Sequence, residues 1–230
     1  MNILGVHIAF NQLNHDPGAA LVCDQQLVAI CEEERFNRIK TSRGCLPYNS
    51  IQAVLKEASL KIKEIDLVVT TGLTRKDQLE YHVSRFFQHY FGHSPKIEFV
   101  EHQMAHLSSS FFFSDFEEAM CVSCDGIGDG SSGKLAKGKG RHLDIIGDIP
   151  PSQSLGNLYS AITALLGFRQ LEDEYKVMGL SSYGAPTVDF SEIISFGPDS
   201  YRINEEIFFR GYKPMSLDEP IYSDKLVKLL

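Results

Sequence analysis

No run of apolar residues in this chain is long enough to cross a bilayer, and the first ten residues, MNILGVHIAF, carry no basic group ahead of their apolar stretch. Neither a membrane span nor a secretion signal is expected on those grounds. Positive charge is scarce too: 22 Lys and Arg face 30 Asp and Glu, a formal net charge of -8. Broad electrostatic binding to nucleic acid needs a basic footprint, which is missing, although a small basic pocket for a phosphate stays open. Cysteine is sparse and odd in number, with five residues at 23, 31, 45, 121 and 124. That count gives no disulfide framework and fits a reducing, cytoplasmic setting. Cys121 and Cys124 form a CxxC inside AMCVSCDG, a strand-like run in which positions i and i+3 point to opposite faces, so two packed thiols are expected rather than a redox or metal pair.

What the chain has is the composition of a folded protein: 43% apolar and 23% charged residues over 230 positions, enough to bury one large core or two small ones. ILGVHIA reads as a buried strand, NQLNHDPG as a polar loop, and AALVCD and LVAICEEE as a hairpin turning at Gln25-Gln26. Residues 49–60 carry helical spacing at Ile51, Val54, Leu55 and Ala58, with Asn49 or Ser50 as cap. DLVVTTG is the next strand. A second helix is expected over Lys76 to Phe91, closed by Gly92. KIEFVEH then leads into EHQMAH. From Ala119 the order strand, acidic Gly-rich loop, strand, turn, strand returns, followed by the apolar helix SLGNLYSAITALLGF and a final segment beginning at Ser223 that reads as a capped helix. A duplicated strand meander and helix is the layout of an actin-like ATPase (ribonuclease H-like) α/β fold with mixed sheets and flanking helices. We therefore expect a first lobe over 1–117 and an incomplete second lobe over 118–230, with the rest supplied by further polypeptide or a partner chain.

His102 and His106 stand four residues apart, so on a helix they share a face. With Asp125 they make a mixed nitrogen and oxygen set suited to iron, zinc or manganese, with a position left open for a reacting group. The alternative is a pair of ordinary helix histidines. In CDGIGDGSSG, Gly126 and Gly128 would let the backbone approach a ligand closely, whereas Asp129 reads as a turn residue.

Six ordered segments, NHDPGAALV, EEERFNRIK, EHQMAHLSSSFFFS, CDGIGDG, SLGNLYSAITALLGF and EYKVMGLSSYGAP, together resemble the N-terminal part of the O-carbamoyltransferases of the NodU/CmcH type. The resemblance implies transfer of a carbamoyl group from carbamoyl phosphate, through carbamoyladenylate, to a hydroxyl of a small molecule, with ATP as co-substrate and Fe2+ or another divalent first-row metal near the phosphates. It implies His102, His106 and Asp125 as metal ligands. It points to His15 and Asp16 as catalytic candidates, His15 taking the acceptor's proton, and to Lys40 as the cation that steadies developing charge. Arg38, Gly126, Gly128, Glu174 and Lys176 are the substrate or nucleotide candidates. Against these stand plain alternatives: charge pairs of Arg38 and Lys40 with Glu32 to Glu34, a turn at Asp16, and a surface pair of Lys176 with Glu172 or Glu174. The aromatic run at 111–113 reads as core. Two other functions stay open, an actin-like kinase or ATPase using Mg and a scaffold subunit that needs a second half; a homo-oligomer is compatible with either. A related domain modifies tRNA with threonylcarbamoyl, a use that the acidic charge disfavours.

Overall fold

The computed structural model describes residues 1–11, 13–198, 200–208 and 219–230. The chain divides into two compact units, Met1–Ala105 and His106–Leu230.

In the first unit, β1 (Asn2–His7), β2 (Gly18–Cys23) and β3 (Gln26–Glu32) form an antiparallel meander. The short helix α1 (Glu34–Asn37) and the longer α2 (Tyr48–Glu57) follow, then β4 (Leu67–Thr71), α3 (Lys76–Phe91) and β5 (Ile97–Val100). β4 and β5 add in parallel, giving the mixed order β3-β2-β1-β4-β5 of a ribonuclease H-like lobe. Alternation places Leu4 and Val6 of β1, Leu21 of β2 and Val68 of β4 in one core with Ile51, Val54 and Leu55 of α2 and Val83, Phe86 and Phe87 of α3. α3 occupies the expected span and ends on Gly92 in the left-handed region, whose N–H donates to the Gln88 carbonyl at 3.1 Å.

Two local expectations are corrected. The β2–β3 turn falls one residue earlier, at Asp24 and Gln25, both with positive φ, a geometry that matches the twist of a tight hairpin. The cap of α2 is neither Asn49 nor Ser50. The buried carboxylate of Glu33 supplies it from 16 residues upstream, accepting from Asn49 N at 3.3 Å and Ser50 N at 2.9 Å and from both side chains. A carboxylate at a helix N-terminus satisfies orphan N–H groups and complements the dipole, and Glu33 thereby ties the EEERF segment to the core.

The division falls inside α4 (His102–Phe111), one continuous helix. The second unit then contains β6 (Glu118–Val122), β7 (Gly133–Lys139) and β8 (His142–Ile149), a three-stranded antiparallel sheet in sequence order. α5 (Leu155–Leu165), α6 (Glu174–Ser181), the hairpin β9 (Ile194–Phe196) and β10 (Tyr201–Ile203), and α7 (Asp224–Leu229) complete it. Leu158 and Ala161 of α5 are buried with Ile193, Ile203, Ile207, Ile221 and Leu226. Ser223 caps α7 by accepting from Lys225 N at 3.2 Å, as its sequence suggests. Of the three phenylalanines expected in the core, only Phe111 is buried, and its ring lies where a Cβ on Gly138 would stand, which demands glycine there. Phe112 and Phe113 are exposed in the turn that follows the last residue of α4, Phe111. The cysteine pair is corrected likewise: Cys121 is buried but Cys124 is exposed.

Candidate metal centre

α4 begins where the Glu101 side chain accepts from Met104 N at 2.8 Å, a cap that fixes the phase of the following turns. His102 and His106 then fall one turn apart on the same face. Asp125 sits just after β6, its N–H donating to the Ser132 carbonyl at 2.8 Å. His106 Nε2 and Asp125 Oδ2 are 3.5 Å apart, and one ligand atom from each of His102, His106 and Asp125 lies within 4.8 Å of the others. Two imidazoles and a carboxylate at that spacing fit a first-row divalent cation and leave coordination positions for other groups.

Asp125 is held from behind by α5. Ser154 caps that helix by accepting from Asn157 N at 3.0 Å, while its hydroxyl lies 2.8 Å from each of the Asp125 and Gly126 carbonyls. A Cβ on Gly156 would meet Gly126 N at 2.7 Å and the Asp125 carbonyl oxygen at 2.8 Å. Only glycine permits that approach. The Ser132 hydroxyl donates to the Gly126 carbonyl at 2.6 Å, and Gly128 and Ser131 close the hairpin tip with paired backbone bonds of 2.9 and 3.0 Å. Asp129 is a left-handed turn residue, as the sequence implies.

A second cluster lies within the first unit. His15 Nδ1 and Asp16 Oδ2 are 2.7 Å apart. That hydrogen bond, reinforced by the charges of His15, Lys40 and Arg43, holds the Asp16 carboxyl below its ordinary range. Lys40 Nζ pairs with both oxygens of Glu34 at 3.3 and 3.2 Å, and Thr41 N donates to the same carboxylate at 2.9 Å. The 38–44 loop is stitched to the 14–16 loop by Asp16 N to the Thr41 carbonyl, 2.6 Å, and Gly44 N to the Asn14 carbonyl, 3.2 Å. Arg38 is exposed at the end of α1 and makes no ion pair among the described residues. The sequence reading missed two neighbours here. Arg43 is buried yet charged. His7, at the end of β1, has its imidazole pushed toward the neutral form first by burial and then by His102 and His15, and its Nδ1 is 3.4 Å from the Thr71 hydroxyl. A histidine closing an otherwise apolar strand was the signal available for it.

The last two candidates are engaged in the fold. Glu174 Oε1 accepts from Ser160 Oγ at 2.5 Å and Leu171 N at 2.6 Å, which fastens α6 to α5. Lys176 Nζ pairs with Asp173 at 2.7 Å, not with Glu172 or Glu174, because the i,i+3 spacing brings Asp173 beneath it.

A family described as "Carbamoyltransferase N-terminus" matches residues 2–96 and 89–216. The chain belongs to that family. It is 37% identical over 197 residues to the nodulation protein NolNO of Sinorhizobium fredii, covering 76% of this chain and 29% of that protein. An uncharacterized protein of Methanocaldococcus jannaschii is 35% identical over 169 residues, covering 74% of this chain and 32% of that protein. The chain thus spans about a third of the length of these curated relatives. Among solved structures it is similar to a ROK hexokinase from Thermus thermophilus, with TM-score 0.42 and 11% identity over 81% of this chain and 70% of that one. YeaZ from Pseudomonas aeruginosa has TM-score 0.37 and 11% identity over 65% of this chain and 68% of that one. No helix among the described residues is long and apolar enough to cross a membrane.

Proposed function

We propose that this chain is the N-terminal, metal-binding portion of an ATP-dependent carbamoyltransferase that moves a carbamoyl group from carbamoyl phosphate, through carbamoyladenylate, to a hydroxyl of a small molecule. The observation that carries the reading is the convergence of His102, His106 and Asp125 within 4.8 Å in a chain of this family. A divalent first-row cation, Fe2+ in the family-based expectation, would supply charge neutralisation for the oxygens of the transferring group. Asp125 is held for that task by Ser154 and Gly156. The His15 imidazole takes the proton of the attacking hydroxyl, and Asp16, hydrogen-bonded to it, orients the ring and stabilises the imidazolium. Lys40 leaves an exposed, weak pair with Glu34 to steady the developing oxyanion. Gly126 and Gly128 present a backbone that a nucleotide phosphate can approach.

The rest of the catalytic domain is supplied by further polypeptide or a partner chain. β1 pairs on both sides, with β2 and β4, while β6 pairs among the described residues with β7 alone. The outer edge of β6 is the natural dock for another parallel strand. The five free cysteines agree with a cytoplasmic setting. A magnesium-dependent kinase is the weaker reading, because hard Mg prefers oxygen ligands to a histidine pair.

The test is metal analysis after anaerobic purification, followed by transfer of labelled carbamoyl phosphate to hydroxyl acceptors. His102→Ala and His106→Ala should each abolish stoichiometric metal. Unchanged metal content in both variants would remove the centre, and ATP-dependent phosphorylation of the acceptor without carbamoylation would select the kinase.

A further inference from the structure

The His15–Asp16 pair joins residues that are adjacent in sequence. Along an extended chain neighbouring side chains point to opposite faces, so the two can meet only where the backbone turns between them. Asp16 supplies that turn with a φ of 54, in the left-handed region that aspartate tolerates better than most residues. Both side chains are about half exposed, and an exposed charge pair does little to hold its own geometry. What fixes the pair is the peptide group between its members. The Asp16 N–H donates to the Thr41 carbonyl at 2.6 Å. At the other end of the same peptide, the His15 backbone is hydrogen-bonded by the His7 ring. Thr41 brings only its backbone to this clamp, since its φ is 61 and its buried hydroxyl has no partner among the described residues.

Register puts His7 in place. It stands directly opposite Gly18 across β1 and β2, so the 8–17 connection leaves the sheet at His7 and returns to the same level, bringing the His15 peptide back to the ring. A neutral imidazole offers one donor and one acceptor. Nδ1 lies 3.4 Å from the Thr71 hydroxyl, which leaves Nε2 to donate to the His15 carbonyl. An apolar residue, in keeping with Ile3, Leu4 and Val6 of the same strand, would leave that carbonyl without its donor.

We infer that His7 is a positioning residue whose ring clamps the His15–Asp16 peptide and thereby holds the His15 imidazole against Asp16, with the ring proton on Nδ1 and Nε2 left to act as the base. The inference rests on the carbamoyltransferase reading for the work of that base, while the state of the ring can be read without any substrate.

The experiment records ring-nitrogen NMR spectra of selectively labelled histidines in the full chain, in His7→Leu and in His7→Gln, at a pH where the imidazoles are neutral, with a melting temperature for each. In the unmodified chain His15 should carry its proton on Nδ1, the reverse of the preference of an unrestrained imidazole in water, and the His7 ring N–H should be protected from exchange. His7→Leu should release His15 to the Nε2–H tautomer. His7→Gln, whose amide reaches as far as Nε2, should retain the Nδ1–H form, a rescue that a merely structural role of the ring would not produce. The inference is overturned if the His7 ring N–H of the unmodified chain exchanges freely, a reading that requires no variant to fold. It is overturned equally if His15 keeps the Nδ1–H form in His7→Leu, or if His7→Gln releases it as leucine does. In a carbamoyl transfer assay His7→Leu should lower kcat about tenfold with KM unchanged, a part of what a general base supplies. Transfer at an unchanged kcat in that variant would sink the inference and leave the proposed function standing. A His7-dependent tautomer of His15 in a protein that carbamoylates nothing would sustain the inference and sink the proposed function.

Discussion

At the scale of single residues, the atoms that fix the site are mostly not the ones that would touch a substrate. Gly156 is the plainest case, because any Cβ there would overlap the Asp125–Gly126 peptide. Gly156→Ala should cost about 1–3 kcal/mol, the usual range for overpacking a close contact, and should weaken metal binding by displacing Asp125. Denaturant unfolding and a metal titration would check both, and a variant with unchanged midpoint and metal affinity would contradict the packing argument. Glu34 gives a pH prediction. Its carboxyl is held below its ordinary value first by the Thr41 N–H and then by Lys40. A depressed folded-state value means that the group stabilises the fold above its unfolded value of about 4.3, and that this contribution is lost as pH falls through the folded value. Glu34→Gln should therefore flatten the acid limb of stability against pH, and parallel limbs in the two proteins would refute the coupling. The shared face of His102 and His106 was legible because four-residue spacing translates directly into one helix face. His7, Arg43 and the orphan hydroxyl of Thr41 were not, since burial and bond satisfaction depend on loops that meet only in three dimensions.

Among the secondary-structure elements, α5 links packing to the candidate centre. Ser154 both caps it and holds the Asp125 and Gly126 carbonyls. Ser154→Ala should lose about 1 kcal/mol for the cap, with a further loss from the unsatisfied carbonyls, and thermal melting should register the sum. A loss no larger than that of an ordinary cap would show that the carbonyl contacts are idle. α3 and α5 were readable in outline from periodicity, and α3 also from its punctuation at Gly92, whereas the Ser154 cap of α5 was not read. The start of α2 was not. Its cap comes from Glu33 across the 34–46 loop, and local sequence offered Asn49 and Ser50 as the obvious but unused alternatives. Lys176 was misassigned within a single turn, since its partner is Asp173, three residues before it, and not either glutamate named by charge pattern alone.

For the whole molecule, the mixed α/β character and the return of the strand meander after residue 118 were visible in the sequence because alternation and turn chemistry repeat. What pattern could not supply was the state of the sheet edges. β6 presents Met120 and Val122, 63% and 59% exposed, next to an outer edge unpaired among the described residues. An exposed apolar edge recruits strands, so the 230-residue chain on its own should self-associate with rising concentration. Met120→Lys with Val122→Lys should shift it toward monomer in sedimentation velocity. Equal sedimentation of both proteins across the concentration range would rule out the edge as the contact. The seating of Asp125 against α5 has one more consequence. The ligand and its support are about thirty positions apart in sequence, so an occupied centre would act as a clasp on the second unit. Each ion bound to the native arrangement would draw the folding equilibrium of α5 with it, and chelation would appear as faster hydrogen exchange along Leu155–Leu165.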